Sequence, residues 1–298
     1  MLKKLIACVI LWISSTNLVN SYQDNPRFYD IDSFDRMPIL EREKFGNENP
    51  TPIARRGPEF RKYLAPSVKI MVSGASGSGT IVHFDNQKKM AYVATCGHLW
   101  EQGVMNVDEG KRRNLKCKVI VWYHNDQKLD APKSYDANVI FYSYINGQDT
   151  GLITFTPDWE PNFFPIGPSD YRYIKGQHSH SVGCDAGTET AHYDIEMLGI
   201  EGEDLVTNKN SPRPGRSGGG LMDDDGSYIG TCWGTQYRDG TGKGYFTPLF
   251  VIHKFWSKQK GYEFLLKQKQ ATGNAKQIKI KDHTGSKEEF KPEYILLP

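Results

Sequence analysis

The chain has 298 residues, 38% hydrophobic and 12% aromatic, enough apolar material to pack one or two domains and too much for a disordered chain. Residues 1–21 contain Lys3 and Lys4 and no acid, so the remainder keeps 35 of the 37 basic side chains against 35 acidic ones. A net charge of zero excludes the long-range attraction on which nucleic-acid binding depends, and no nucleic-acid partner is expected.

Taken in chain order, the first feature reads as a targeting segment. Lys3 and Lys4 precede nine apolar residues, 5–13, and Val19, Asn20 and Ser21 offer a cleavage point, so 1–21 is expected to be a signal peptide and the protein secreted or periplasmic. Nine apolar residues fall short of the roughly 20 that a spanning helix needs, so no stable membrane insertion is expected once the signal is removed. A lipidated Cys8 fits poorly, because the apolar run continues past it. Cys96, Cys117, Cys184 and Cys232 remain; with no CxxC pair they argue against zinc, and they suit disulfides or buried thiols equally.

Residues 22–64 are polar, charged and proline-rich and read as an N-terminal extension or propeptide, with Arg55 and Arg56 as a candidate processing point. The pattern then changes. Short β-rich runs bounded by turn residues occur at 68–74, 79–84, 89–95, 116–124, 137–144 and 151–155. A second series follows at 171–174, 178–184, 191–200, 204–207, 227–235 and 242–249. No useful helical period interrupts either series until 248–268, where Leu249, Ile252, Phe255 and Trp256 recur at helical spacing. These runs imply an all-β fold of two antiparallel β-barrels, 65–160 and 161–269, the second ending in a C-terminal α-helix, with 270–298 as a charged tail.

Three residues in this framework could form one chemical unit. Ser217 lies in GRSGGG, where glycines permit a turn that aims two backbone N–H groups at one point. A serine becomes a nucleophile only beside an imidazole that takes its proton and a carboxylate that orients the imidazole. His98 stands at the end of an apolar strand in TCGH, and Asp149 at the mouth of another in QDTGLITF. Asp130 and Asp136 are the competing acids, but only Asp149 leads into the apolar pattern.

In these blocks the sequence resembles the chymotrypsin/trypsin-like serine proteases over residues 65–260, closest to the bacterial and phage-type members. The resemblance implies a serine endopeptidase acting on protein or peptide substrates without a cofactor or metal. His98 would be the general base and acid, Asp149 its orienting acid and Ser217 the nucleophile, with the Gly215 and Ser217 amides as oxyanion donors. Trp233 and Gly234, in Cys232-Trp233-Gly234, would line the substrate's path. Gly244 would stand at the wall of the primary pocket and Ser211 at its floor.

Two departures matter. The digestive members carry an aspartate before the serine, which pairs with a newly cut N-terminus; here that position is Arg216, so activation by N-terminal insertion is not implied. With Ser211 in place of an acid, cleavage after Lys or Arg is not supported, and a neutral or apolar P1 side chain is expected.

Other readings account for less. An α/β-hydrolase elbow requires its acid and histidine after the serine, and the segment before Ser217 is proline-rich rather than an apolar strand. Asp223, Asp224 and Asp225 suit a hairpin turn better than a calcium loop. His178 and His180 would share one face of a strand, but no third metal ligand is recognisable. A protease-like fold without catalysis, serving as a binding or scaffold module, is the non-enzymatic alternative.

Overall fold

The alternation of residues 116–124 is carried directly into structure: Cys117, Val119, Val121 and Tyr123 point inward while their neighbours face out. In a computed structural model of the protein, which describes residues 55–145, 147–207, 212–235 and 243–268, this strand is β5 (Lys116–His124). The expected signal peptide, most of the extension, the tail and Ser211 lie outside the described residues.

Six strands close the first barrel. In order around it come β6 (Gln127–Ile145), β5, β1 (Ser67–Val72), β2 (Ala75–Asp85), β3 (Met90–Thr95) and β7 (Gln148–Phe155), with β7 pairing back onto β6. A short β4 (Gly103–Met105) is added along β6. Inside, Val68, Ile70, Ile81, Val93 and Val119 are wholly buried. At about 1.5–3 kcal/mol for each such side chain, this core and its counterpart are the main favourable contribution to folding.

The second barrel runs β8 (His178–Gly183), β9 (Ala191–Glu201), β10 (Asp204–Thr207), β13 (Gly244–Pro248), β12 (Tyr228–Thr235) and β11 (Gly220–Met222), closing on β8. Tyr193, Met197, Leu205, Leu221 and Phe246 fill it. The two antiparallel barrels agree with the expected all-β class.

Local departures from the expectation have identifiable causes. A helix, α2 (Val107–Arg113), follows the four-residue α1 (Arg61–Leu64) and interrupts the first series, where none was expected. Its signals are capping signals rather than a periodic apolar face: Asn106 accepts from the Glu109 amide at 3.0 Å, and Asn114 ends it in the left-handed region. Acids occupy its first turn and bases its last, complementing the helix dipole. Residues 171–174 form no strand; instead the Tyr173 hydroxyl donates to the Ile229 carbonyl at 2.7 Å and accepts from the Leu249 amide at 2.7 Å.

The C-terminal helix, α3 (Leu249–Trp256), ends twelve residues before the expected limit of 268. Gly261, at φ +88°, bends the chain so that a 3-10 turn (Glu263–Leu266) buries Leu265. The end of α3 also reaches the other barrel: Trp256 packs edge-on against Phe141 of β6, and its indole N–H donates to Thr150 Oγ1 of β7 at 3.0 Å.

Cys96, Cys117, Cys184 and Cys232 are buried and unpaired, so of the two alternatives open at the sequence level the structure contains thiols. The Asp223–Gly226 stretch is a hairpin turn between β11 and β12, with the Gly226 amide donating to the Asp223 carbonyl at 3.1 Å.

Candidate active site

Strand β3 leads into His98, three residues past its last residue, Thr95. The intervening Gly97 is obligatory, because a β-carbon there would lie 2.0 Å from the Ser143 carbonyl oxygen. Asp149 arrives from the opposite side on β7, one step past the β6–β7 hairpin, in register with Tyr144. Its carboxylate is 7% exposed and takes three donors: the Gly97 amide at 2.6 Å, the His98 amide at 2.9 Å and the His98 ring at Nδ1, 2.6 Å away.

This grip fixes the ring's position: Nδ1 faces the Asp149 carboxylate at 2.6 Å, and Nε2 lies on the opposite edge, 3.8 Å from Cys96 Sγ. Burial works to lower the pKa of His98; Cys96 beside it and the hydrogen-bonded Asp149 carboxylate more than offset that and hold it above the ordinary 6.5. Since burial also raises the Cys96 thiol and keeps it neutral, the durable cause is Asp149. The register is secured from behind, where Thr247 Oγ1 of β13 donates to the Asp149 carbonyl at 2.8 Å.

The turn bearing Ser217 is held from both barrels. Arg213, Pro214, Gly215 and Arg216 form a turn closed by the Arg216 amide on the Arg213 carbonyl at 3.0 Å, with Gly215 at φ +96°, the pattern of a type II turn with proline then glycine at its centre. Ser78 of β2 donates from its amide to the Ser217 carbonyl and from its hydroxyl to the Gly215 carbonyl, both at 2.6 Å. From β12, the Cys232 amide donates to Gly219 and its carbonyl accepts from Gly218. Gly218 has φ +86°, and a β-carbon there would stand 2.3 Å from Thr95 Oγ1 and 3.1 Å from the Cys96 amide nitrogen. The serine turn therefore abuts the strand end that carries His98.

His98 and Asp149 are hydrogen-bonded, whereas His98 and Ser217 share no hydrogen bond; Nε2 stands 3.8 Å from Cys96 Sγ. Catalytic contacts of this kind commonly tighten only when substrate arrives. Ser217 and Gly215 are half-buried, and among the described residues neither amide donates to a backbone acceptor.

Arg216, which the sequence comparison could only mark as a departure, proves to be fully buried with a specific partner. Its Nε and Nη2 donate to both oxygens of Asp185, at 2.8 and 2.7 Å, and its guanidinium lies 3.5 Å above the Tyr193 ring. Tyr193 in turn donates its hydroxyl to Asp185 at 2.8 Å. Burial opposes the guanidinium's charge, and Asp185 more than restores it. The side chain is thus rooted in the second barrel, next in sequence to Gly215 and Ser217. Asp185 and Ser78 are the two residues sequence reasoning missed. Asp185 lies 31 positions before Arg216 with no motif to mark it, and Ser78 looks like any strand serine.

Trp233, Gly234 and Gly244 stand together on the β12–β13 ladder, Gly234 opposite Tyr245 and Gly244 opposite Thr235. Trp233 is tethered by its indole N–H to Asp204 at 3.0 Å, and a β-carbon at Gly234 would meet nothing within 4 Å. Ser211 lies outside the described residues.

No protein-family model and no curated protein matches the chain. Among solved structures, the serine endoprotease from Yersinia pestis superposes at a TM-score of 0.50 with 16% identity, over 72% of this chain and 68% of that one. The fold is trypsin-like. The inactive form of the Rv3671c protease of M. tuberculosis gives 0.48 and 17% over 71% and 100% of the two chains. The MamO protease domain from Magnetospirillum magneticum gives 0.46 and 16% over 65% and 97%. The two barrels meet where β12 touches β3 and β7 and where β13 touches β7, the strands that lead to or carry His98 and Asp149.

Proposed function

We propose that the protein is a serine endopeptidase, secreted or periplasmic, that hydrolyses peptide bonds of protein substrates through an acyl-enzyme with no cofactor. The observation that carries this reading is the threefold grip of Asp149 on the His98 ring and loop, beside a serine turn fixed by Ser78 and Cys232.

In the proposed reaction His98 Nε2 closes on Ser217 Oγ and accepts its proton as Oγ attacks the scissile carbonyl carbon. The Nδ1–H to Asp149 bond stabilises the imidazolium so formed. The carbonyl oxygen becomes an oxyanion facing the Gly215 and Ser217 amides, each of which is worth about two to three powers of ten in rate. Collapse breaks the C–N bond, and His98 returns the proton to the leaving amine. Water then enters, activated by the same imidazole, and releases the carboxylic acid and free Ser217. The β12 edge at Trp233 and Gly234 pairs with the substrate backbone, and Gly244 leaves the pocket wall open. With Ser211 rather than an acid at the floor, the P1 residue is neutral or apolar.

A fluorophosphonate probe tests the reading. Ser217 is expected to be labelled in the wild type and not in Ser217→Ala, and a mixed peptide library then reads the pocket. Absence of labelling in the folded wild type would favour the non-catalytic scaffold instead.

A further inference from the structure

Away from the cleft, the second barrel gathers histidines and aspartates on one face. His178 and His180 alternate along β8 and leave the sheet on the same side. Strand β9 pairs with β8 in the register His180↔Asp194 and Val182↔His192, which places Asp194 and His192 on that side too. The β11–β12 turn sets Asp224 against both β8 imidazoles. The third ligand that the sequence did not reveal is therefore supplied by strand register.

The distances suit one ion. Asp194 Oδ1 lies 3.2 Å from His178 Nε2 and 3.7 Å from His180 Nδ1, and the donor atoms of the three residues all lie within 4.8 Å of one another. Zinc bonds of about 2.0–2.1 Å in tetrahedral geometry separate ligand atoms by about 3.3 Å, so binding draws the donor atoms together and takes His180 Nδ1 from its 2.8 Å contact with His192 Nε2. The opposite ring nitrogens, His178 Nδ1 and His180 Nε2, both face Asp224 Oδ1, at 3.1 and 2.8 Å. A carboxylate behind the ring is what orients metal-bound imidazoles. Arg55 holds Asp194 by its other oxygen, Oδ2. A surface depression lined by Gly176, His178, Asp194 and Glu196 gives access from solvent.

We propose that His178, His180 and Asp194 bind a divalent ion of the zinc type, with Asp224 orienting both rings and a water in the fourth position. The ion would fasten two parts of the molecule. Tyr63 stacks on His180 at 4.1 Å and Arg55 pairs with Asp194, so segment 55–64, which leads into β1 of the first barrel, is docked on these ligands. The proposal is independent of the peptidase reading.

The test uses the full chain without an affinity tag, stripped by chelator and titrated with zinc chloride by calorimetry and with cobalt chloride by visible absorption. One ion per chain is expected, with the intense d–d bands of four-coordinate cobalt. The His178 side chain is 51% exposed, so His178→Ala is expected to fold and to lose binding. Asp224→Asn is expected to weaken binding about 10- to 100-fold. His124→Ala, on the first barrel, is expected to leave it unchanged. Absence of zinc binding by the wild type at micromolar zinc, or binding that survives His178→Ala, would overturn the proposal.

Discussion

Replacing Asp185 with Asn tests whether its buried ion pair with Arg216 organises catalysis or only stabilises the barrel. Both side chains are at most 1% exposed, and two hydrogen bonds join them. Removing one partner from such a pair leaves a charge buried without compensation, at a cost of about 3–5 kcal/mol. For a domain of this size that lowers Tm by roughly 6–20 °C, at about 2–4 °C per kcal/mol. A double variant, Asp185→Leu with Arg216→Met, removes both charges at similar volume and is expected to recover most of that loss.

Stability and catalysis then separate. Arg216 lies between the two proposed oxyanion donors, and its side chain is the turn's anchor in the second barrel. The double variant is expected to melt near the wild type yet to lose about two powers of ten in kcat, with KM little changed, because the loss falls on transition-state stabilisation. The assay pairs thermal denaturation with hydrolysis of the best library peptide at saturating substrate. A stable double variant with wild-type kcat would refute the positioning role, and an Asp185→Asn protein with unchanged Tm would refute the energetic one.

Four further outcomes are expected. Because only neutral His98 can act as base and its pKa lies above 6.5, kcat/KM should fall as pH drops through that raised value; Asp149→Asn should move this limb downward and cost about 10⁴ in kcat, as titration of peptide hydrolysis would show. By the same shift, the His98–Asp149 pair stabilises the fold fully below pH 6.5 and ceases to do so above the raised pKa, which denaturant melts of Asp149→Asn against pH would reveal. Gly218→Ala forces a side chain into the left-handed region and a β-carbon to 2.2 Å from the Ser78 carbonyl oxygen; it should cost at least about 2 kcal/mol by urea melting, whereas unchanged stability would mean that the turn can move freely. Burial raises the Cys117 and Cys184 thiols to about 12, and they should resist alkylation until the protein is unfolded, as mapped by peptide mass spectrometry.

Strand positions were legible because each barrel strand has to bury one face, and that demand writes a period of two into 116–124 and its counterparts. Helix α2 escaped because its seven residues bury only Val107 and Gly110; its signature lay in Asn106, Asn114 and the charges between them. The length of α3 was overestimated because the apolar residues beyond it, Leu265 among them, are buried through a glycine bend rather than a continuing helix.

By itself the sequence determined which residues could be chemically competent: a histidine at one strand end, an acid at another, and a serine among glycines, each legible within about ten neighbouring residues. Tertiary structure alone decided what those residues touch. Asp149 meets the Gly97 and His98 amides across some fifty positions, Arg216 finds Asp185 across 31, and Asp194 joins two histidines through strand register. The reason is physical: backbone propensity and burial period act over a few residues, whereas an ion pair or ligand set depends on which strands the closed barrels bring side by side.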